Sequence, residues 1–235
     1  MAESVGVGWT VAGLQPEEKM PGVYRVTVTG GTEPEGGVRV LTLHEDTVVA
    51  WRLVPGRRLN DAEWRELLAA EAAEGAYRAA LALLAVRPRT RKEMEKALRR
   101  KGYAPDATAA CLERLVRGGL LDDAALAGRI ASYRVTGQRK GRLLVRRELL
   151  ERGVGREDAE AALAGVSEEE EREAALAFAR KRLPQVRAKS ALERRHKLMA
   201  MLLRRGFPKA LAREAVHAAM TEASRTAGKG EERDP

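Results

Sequence analysis

Lysine and arginine, gathered in three clusters, are the residues of this sequence best placed to do chemistry. The clusters are Arg87, Arg89, Arg91 and Lys92 with Arg99, Arg100 and Lys101; Arg139, Lys140, Arg142, Arg146 and Arg147; and Arg194, Arg195 and Lys197 with Arg204 and Arg205. Such groups offer charge-assisted hydrogen bonds to phosphate or carboxylate oxygens, an act of binding in which no covalent bond changes. The residues an enzyme would need are sparse. His44, His196 and His217 have no metal-ligand spacing with the lone Cys111 or with carboxylates. Gly30-Gly31 and Gly36-Gly37 lack the helix-opening Gly-Lys-Ser/Thr of a phosphate loop. Asp122-Asp123 resembles a metal pair, but after Gly118-Gly119-Leu120-Leu121 it reads as an N-cap and a first-turn acid. The Glu168 to Glu171 run is likewise a helix start. Cys111, set in Ala-Ala-Cys-Leu-Glu-Arg-Leu, falls on an apolar helical stripe and reads as a core residue. These readings lead us to expect no catalytic residue, no metal and no cofactor.

The charge distribution sharpens the reading. Of the net +9, residues 1–75 carry 7 Lys or Arg against 12 Asp or Glu, a net −5, whereas residues 76–220 carry 33 against 18, a net +15. All the positive excess lies in the second segment, which therefore attracts polyanions, while the first is a poor phosphate binder. No charge-free apolar run approaches the length of a membrane span, and the start lacks a signal peptide's basic and apolar regions, so a cytoplasmic protein is expected. Hydrophobic residues make up 44% of the chain and aromatics only 4%, which points to helices packed through aliphatic side chains.

Elements must position these charges. Residues 23–28, 38–43 and 47–54 alternate with the two-residue period of strands, which predicts three antiparallel strands. Asn60 and Glu63 form a capping-box pair, with Leu59 and Trp64 as staple, so a helix starts near Asp61. Beyond Gly75 three segments align without gaps on Gly102, Gly153 and Gly206, spaced 51 and 53 residues apart. Each carries apolar residues eight and four places before its glycine: Met94 and Leu98, Val145 and Leu149, Leu198 and Leu202. That is one helical stripe closed by a glycine in the left-handed conformation. Amphipathic stretches precede each block (77–85, 124–135, 173–183) and follow it (105–116, 156–163, 209–220), making a three-helix unit. Thr90 to Glu93 and Ser167 to Glu170 read as further capping boxes.

The fold expected is mainly α: three tandem three-helix repeats in an elongated curved array, preceded by a small N-terminal antiparallel β element. The boundaries are an N-terminal tail (1–21), the β element plus helix (22–75), repeats at 76–125, 126–166 and 167–221, and a disordered tail (222–235). The basic clusters fall on the second helix of each unit, so stacking predicts a continuous cationic stripe suited to a long polyanion.

At this point the sequence resembles a known family. Arg87-Pro-Arg-Thr90-Arg-Lys-Glu93-Met-Glu-Lys-Ala-Leu98-Arg-Arg-Lys-Gly102-Tyr is similar to the first repeat of the RecX family, with its hydroxyl cap, acid three places on, leucine and Lys-Gly. Gly119-Leu-Leu-Asp122-Asp123-Ala-Ala-Leu126-Ala resembles the family's Gly-x-Leu-Asp-Asp-x-x-Phe-Ala segment, with Leu126 in place of Phe. Lys140-Gly141, Arg147-Glu148-Leu149 and Arg152-Gly153-Val154 resemble its second repeat, and the third matches by pattern. The resemblance covers about residues 76–220. It implies a non-enzymatic regulator in DNA repair, recombination and the SOS response, whose partners are the RecA protein and the RecA–DNA filament, with DNA touched directly through the stripe. Filament growth, ATP hydrolysis, strand exchange and co-protease activity would be restrained, by a monomer without membrane contact.

The contact residues expected are Arg91, Lys92, Arg99, Lys140, Arg142, Arg146, Arg147, Arg194, Arg195 and Lys197. An alternative is a sequence-specific helix-turn-helix regulator, which would need base-reading side chains near one helix start. The only Asn is Asn60, outside the repeats, although Arg alone can read guanine. A purely structural scaffold remains if the basic stripe is neutralised locally.

Overall fold

The computed structural model describes residues 8–18, 20–30 and 37–231, with side chains to residue 225. The first seven residues, residue 19, residues 31–36 with the expected turn glycines Gly31 and Gly36, and the last four residues lie outside the described set. The chain divides into two compact units, residues 1–121 and 122–235.

The first unit opens with a four-stranded antiparallel sheet. Its strands are β1 (Trp9–Pro16), β2 (Val23–Gly30), β3 (Gly37–His44) and the short β4 (Arg58–Leu59), in the order β3-β2-β1-β4. Two of the expected strands, β2 and β3, are present and pair in register from Val23–His44 to Gly30–Gly37. β1 lies in the stretch expected to be an N-terminal tail; its pairing with β2 slips between Val11 and Gly13, and such a bulge hides a strand from a two-residue period.

The third expected strand, 47–54, is instead a short helix α1 (Glu45–Ala50) and a turn. The edge it would have needed is taken. The outward N–H of Thr42 on β3 donates to Glu71 from a later helix at 3.1 Å, so side chain rather than backbone closes that edge. His44 also favours the helix, because its imidazole accepts from the Asp46 N–H ahead of two first-turn acids.

Helix α2 (Asp61–Val86) joins the sheet to the first repeat without a break. Asn60 and Glu63 form the expected capping box, and Leu59 and Trp64 share one core with Val11, Val26, Val28, Leu41, Leu43, Leu53 and Leu67. Trp9 stacks on Trp64 at 4.1 Å. Two turns further on, Ala76 and Ala80 of the same helix enter a second core with Met94, Leu98, Cys111, Leu112, Leu115 and Leu121. The boundary drawn at residue 75 therefore falls inside a helix. α3 (Arg91–Arg100) and α4 (Pro105–Arg117) complete repeat 1.

The second unit holds repeats 2 and 3. Repeat 2 comprises α5 (Asp123–Ser132), which ends in a π turn (Tyr133–Gly137), α6 (Arg142–Glu151) and α7 (Arg156–Ala164). Repeat 3 comprises α8 (Glu168–Arg182), α9 (Ala191–Arg204) and α10 (Lys209–Glu231). The last helix passes the expected end at residue 221 by ten residues. One shared core runs from Ala127 and Val145 through Phe178 to Leu202 and Val216.

The three aligned glycines are equivalent in geometry. Gly102, Gly153 and Gly206 have φ of 88°, 88° and 87°. The N–H groups of Tyr103, Val154 and Phe207 donate to the carbonyls of Leu98, Leu149 and Leu202. Those of the glycines donate to Arg99, Leu150 and Leu203. Each unit thus closes its second helix with the same pair of bonds, and all six stripe residues are fully buried.

Candidate functional site

The structure places all ten expected contact residues in the three repeats, nine on the second helices α3, α6 and α9 and Lys140 just before α6, but their electrostatic surroundings differ sharply. α6 is the most neutralised. Lys140, only 13% exposed, meets Glu148 at 2.5 Å, and Arg146 meets Glu160 at 2.5 Å. Arg142 is bound still more firmly. Glu171 of α8, itself buried, accepts from the Arg142 Nε at 2.6 Å and from its backbone N–H at 2.8 Å.

Local sequence explains that bond. In repeats 1 and 3 the second helix is capped by Thr90 and Ser190, whose hydroxyls accept from the N–H groups of Glu93 and Glu193. Repeat 2 has Gly141 at the cap position. A Cβ there would lie 2.2 Å from the Gly206 carbonyl carbon, so no capping side chain fits. Glu171 supplies the acceptor from another repeat. Arg142 therefore fastens repeat 2 to repeat 3, and Arg147, with Glu151 at 3.8 Å, is the α6 cation left most exposed.

α3 and α9 are different. On α9, Arg194 and Arg195 are exposed and have no bonded partner among the described residues, while Lys197 meets Glu193 at 2.6 Å and donates to the Arg187 carbonyl. Lys197 and the Lys189 N–H together hold the Glu193 carboxyl below the usual range, so the pair is ionised at neutral pH. On α3, Lys92 is exposed without a bonded partner among the described residues. Arg91 reaches Glu113 at 3.0 Å across the surface, and Arg99 has Glu95 only at 3.8 Å. Exposed pairs of this kind contribute about 0–1 kcal/mol and exchange readily for another anion.

Sequence reasoning left Lys96 and Arg100 out of the contact set. Glu93 lies within one helical turn of Lys96 in the sequence and could pair with it. Glu93 is committed twice, accepting from the Thr90 N–H and from Arg87 at 3.1 Å. The capping box, legible in the sequence, was the signal that Glu93 was unavailable. Lys96 and Arg100, one turn apart and exposed, carry no bonded partner among the described residues. With Arg87, Arg89, Arg99 and Glu93 they line a cleft of about 390 Å³. A second cleft of about 310 Å³ lies between α3 and α4 and shares Arg99.

Other candidate groups are structural. Asp122 caps α5 through the Ala125 N–H at 2.8 Å. Burial pushes the Cys111 thiol up to about 11, so it is protonated and unreactive at neutral pH. Arg205, in the third basic cluster, donates to the Gln138 and Arg139 carbonyls and holds Arg139 in its left-handed conformation at φ 53°. Asn60 spends its carboxamide oxygen on two α2 N–H groups. Among the described residues no cluster of three His, Cys, Asp or Glu could hold a metal, and no helix is long and apolar enough to cross a membrane.

Family models for the RecX first, second and third three-helix domains match residues 76–115, 122–163 and 168–216. "Regulatory protein RecX" of Mycolicibacterium vanbaalenii is 36% identical over 146 residues, covering 59% of this chain and 78% of the relative. The protein of the same name from Mycolicibacterium smegmatis is 33% identical over 165 residues, covering 68% and 84%. The chain belongs to the RecX family.

Solved RecX structures share the fold. One, described as the crystal structure of regulatory protein RecX, superposes with a TM-score of 0.75 at 21% identity, covering 89% of this chain and 99% of its own. RecX from Lactobacillus salivarius gives 0.60 at 24%, covering 65% and 99%. The first RecX domain begins inside α2, as the second core does, and the departure at Leu126 keeps a buried position at 6% exposure. Against that shared frame, the second helices of repeats 1 and 3 carry more loosely paired cations than the second helix of repeat 2.

Proposed function

We propose that the chain regulates the RecA recombinase in the cytoplasm by binding RecA or the RecA–DNA filament, and that it restrains filament growth, ATP hydrolysis, strand exchange and co-protease activity without catalysis of its own. Family membership supports the regulatory role. The observation that carries the mode of binding is the set of exposed cations with loose or no partners on equivalent helices: Lys92 and Arg99 on α3, Arg194 and Arg195 on α9. Arg91 and Arg147 join them through weak surface pairs, and Lys197 through an exposed one. Lys140, Arg142 and Arg146 act mainly by keeping repeats 2 and 3 in shape.

The test is inhibition of RecA's ATPase on single-stranded DNA. Reversing Lys92, Arg194 and Arg195 to Glu should relieve inhibition at least tenfold with an unchanged circular dichroism spectrum and melting temperature. Binding to RecA-coated strands should exceed binding to either component and be indifferent to base sequence. Full inhibition by the folded triple variant would overturn the role of these cations, and one duplex sequence bound on the order of a thousandfold better than random DNA without RecA would favour the helix-turn-helix reading instead.

A further inference from the structure

The cleft of about 390 Å³ in repeat 1 is formed by the α2–α3 loop, which supplies Arg87 and Arg89, and by α3, which supplies Glu93, Lys96, Arg99 and Arg100. Five cations face one carboxylate, and that carboxylate is already neutralised by Arg87 and the Thr90 N–H. Arg89 is steadied from below, its Nε donating to the Leu83 carbonyl at 3.4 Å. Lys96 and Arg100 stand one turn apart on the same side of α3, with nothing bonded to either among the described residues. Like charges held this close repel one another, and an arriving anion relieves that repulsion as well as forming new bonds. The floor of the helix is rigid: Met94, Ala97 and Leu98 on the opposite side of α3 are buried, and both its ends are capped.

We propose that this cleft seats a phosphodiester group of single-stranded nucleic acid, with Lys96 and Arg100 meeting the phosphate and Arg87 and Arg89 forming the rim. The proposal rests on the nucleic-acid side of the reading above and assigns it to residues outside the ten first expected. A phosphodiester suits the cleft better than a lone carboxylate. Lys96 and Arg100 stand one helical turn apart, and ammonium and guanidinium donors together can meet the several oxygens of one phosphate, whereas a single carboxylate offers only two. An open cleft on an exposed helix also admits a strand that continues past both sides.

The experiment measures binding of a fluorescent thymidylate oligomer to the full chain across a salt series, with no recombinase present. Failure of RecA regulation therefore cannot be mistaken for failure of this site. Lys96→Gln with Arg100→Gln should weaken binding about tenfold and lower the steepness of log affinity against log salt by roughly 0.7–1.4, the worth of one to two phosphate contacts on a single strand. Lys209→Gln with Arg213→Gln on α10 removes the same charge from exposed positions and should change affinity less than twofold. An equal loss in both variants would overturn the site in favour of a net-charge effect. A glutamate oligomer of matched charge competing as well as the nucleic acid, through Lys96 and Arg100, would overturn the ligand assignment. Excess inorganic pyrophosphate should compete only weakly; if it abolishes oligomer binding at equimolar concentration, the site recognises a free phosphate and not a strand.

Discussion

At the scale of single residues, much of what holds the helices was legible because it is local. Asn60 with Glu63, Thr90 with Glu93 and Ser167 with Glu170 form capping boxes whose two ends sit three residues apart, and all three are present. What escaped was any bond whose partner lies far along the chain, such as Glu171 on Arg142. The capping carboxylates also set an acid limit on stability. Backbone and hydroxyl donors hold Glu63 and Glu170 below the ordinary value of 4.5, as Lys197 holds Glu193 and Arg180 holds Glu222. A carboxyl whose pKa is depressed on folding stabilises the folded chain above its unfolded pKa, and that contribution is lost as pH falls through the folded one. The melting temperature should thus fall steadily below pH about 4.5. Ser167→Ala, which removes the bonds to Glu170, should lower it at pH 7 but leave a smaller difference from the parent at pH 3. A difference that is constant between pH 7 and 3 would show that the cap acts without the charge.

At the scale of elements, the second helices were readable from a stripe and a glycine, whereas the fate of their charges was not. A sequence shows how many cations a helix carries; which carboxylates meet them depends on neighbours brought in by folding. Two glycines at opposite ends of second helices illustrate two separate demands. Gly102 needs its left-handed φ of 88° but has open space where a Cβ would go. Gly141 has an ordinary helical-cap backbone, with φ −73°, yet lies directly against Gly206. Gly102→Ala should therefore cost about 1–2 kcal/mol in urea denaturation, the strain of one left-handed residue. Gly141→Ala should cost about 3 kcal/mol, because two backbones must separate. It should also speed hydrogen exchange at the amides of Gly141 and Leu143, which donate to the Arg205 and Gly206 carbonyls. Similar exchange in the two variants would show that the α6–α9 approach tolerates a methyl group.

At the scale of the whole molecule, three repeats behind an antiparallel sheet follow from periodicity, but the joint between sheet and repeats does not. The 22–75 and 76–125 segments looked separable because the hydrophobic pattern changes near Gly75. The helix ignores that change: Trp64 and Leu67 serve one core, Ala76 and Ala80 the next. Glu74, buried, binds Arg114 at 2.8 Å, and the Gly75 carbonyl accepts from the Tyr103 hydroxyl at 3.0 Å. A chain that starts at residue 69 should keep these bonds and fold as a helical protein. One that starts at residue 76 loses both, and its melting temperature should be lower by several degrees. Equal melting temperatures would show that the end of α2 contributes nothing to repeat 1. The unbroken helix also dictates how this part of the protein can change over generations. Each residue inserted between Leu67 and Ala76 would turn everything upstream by about 100° about the helix axis, while seven restore nearly the original facing. Descendants of this chain should accept length changes within this stretch of α2 only near whole numbers of turns.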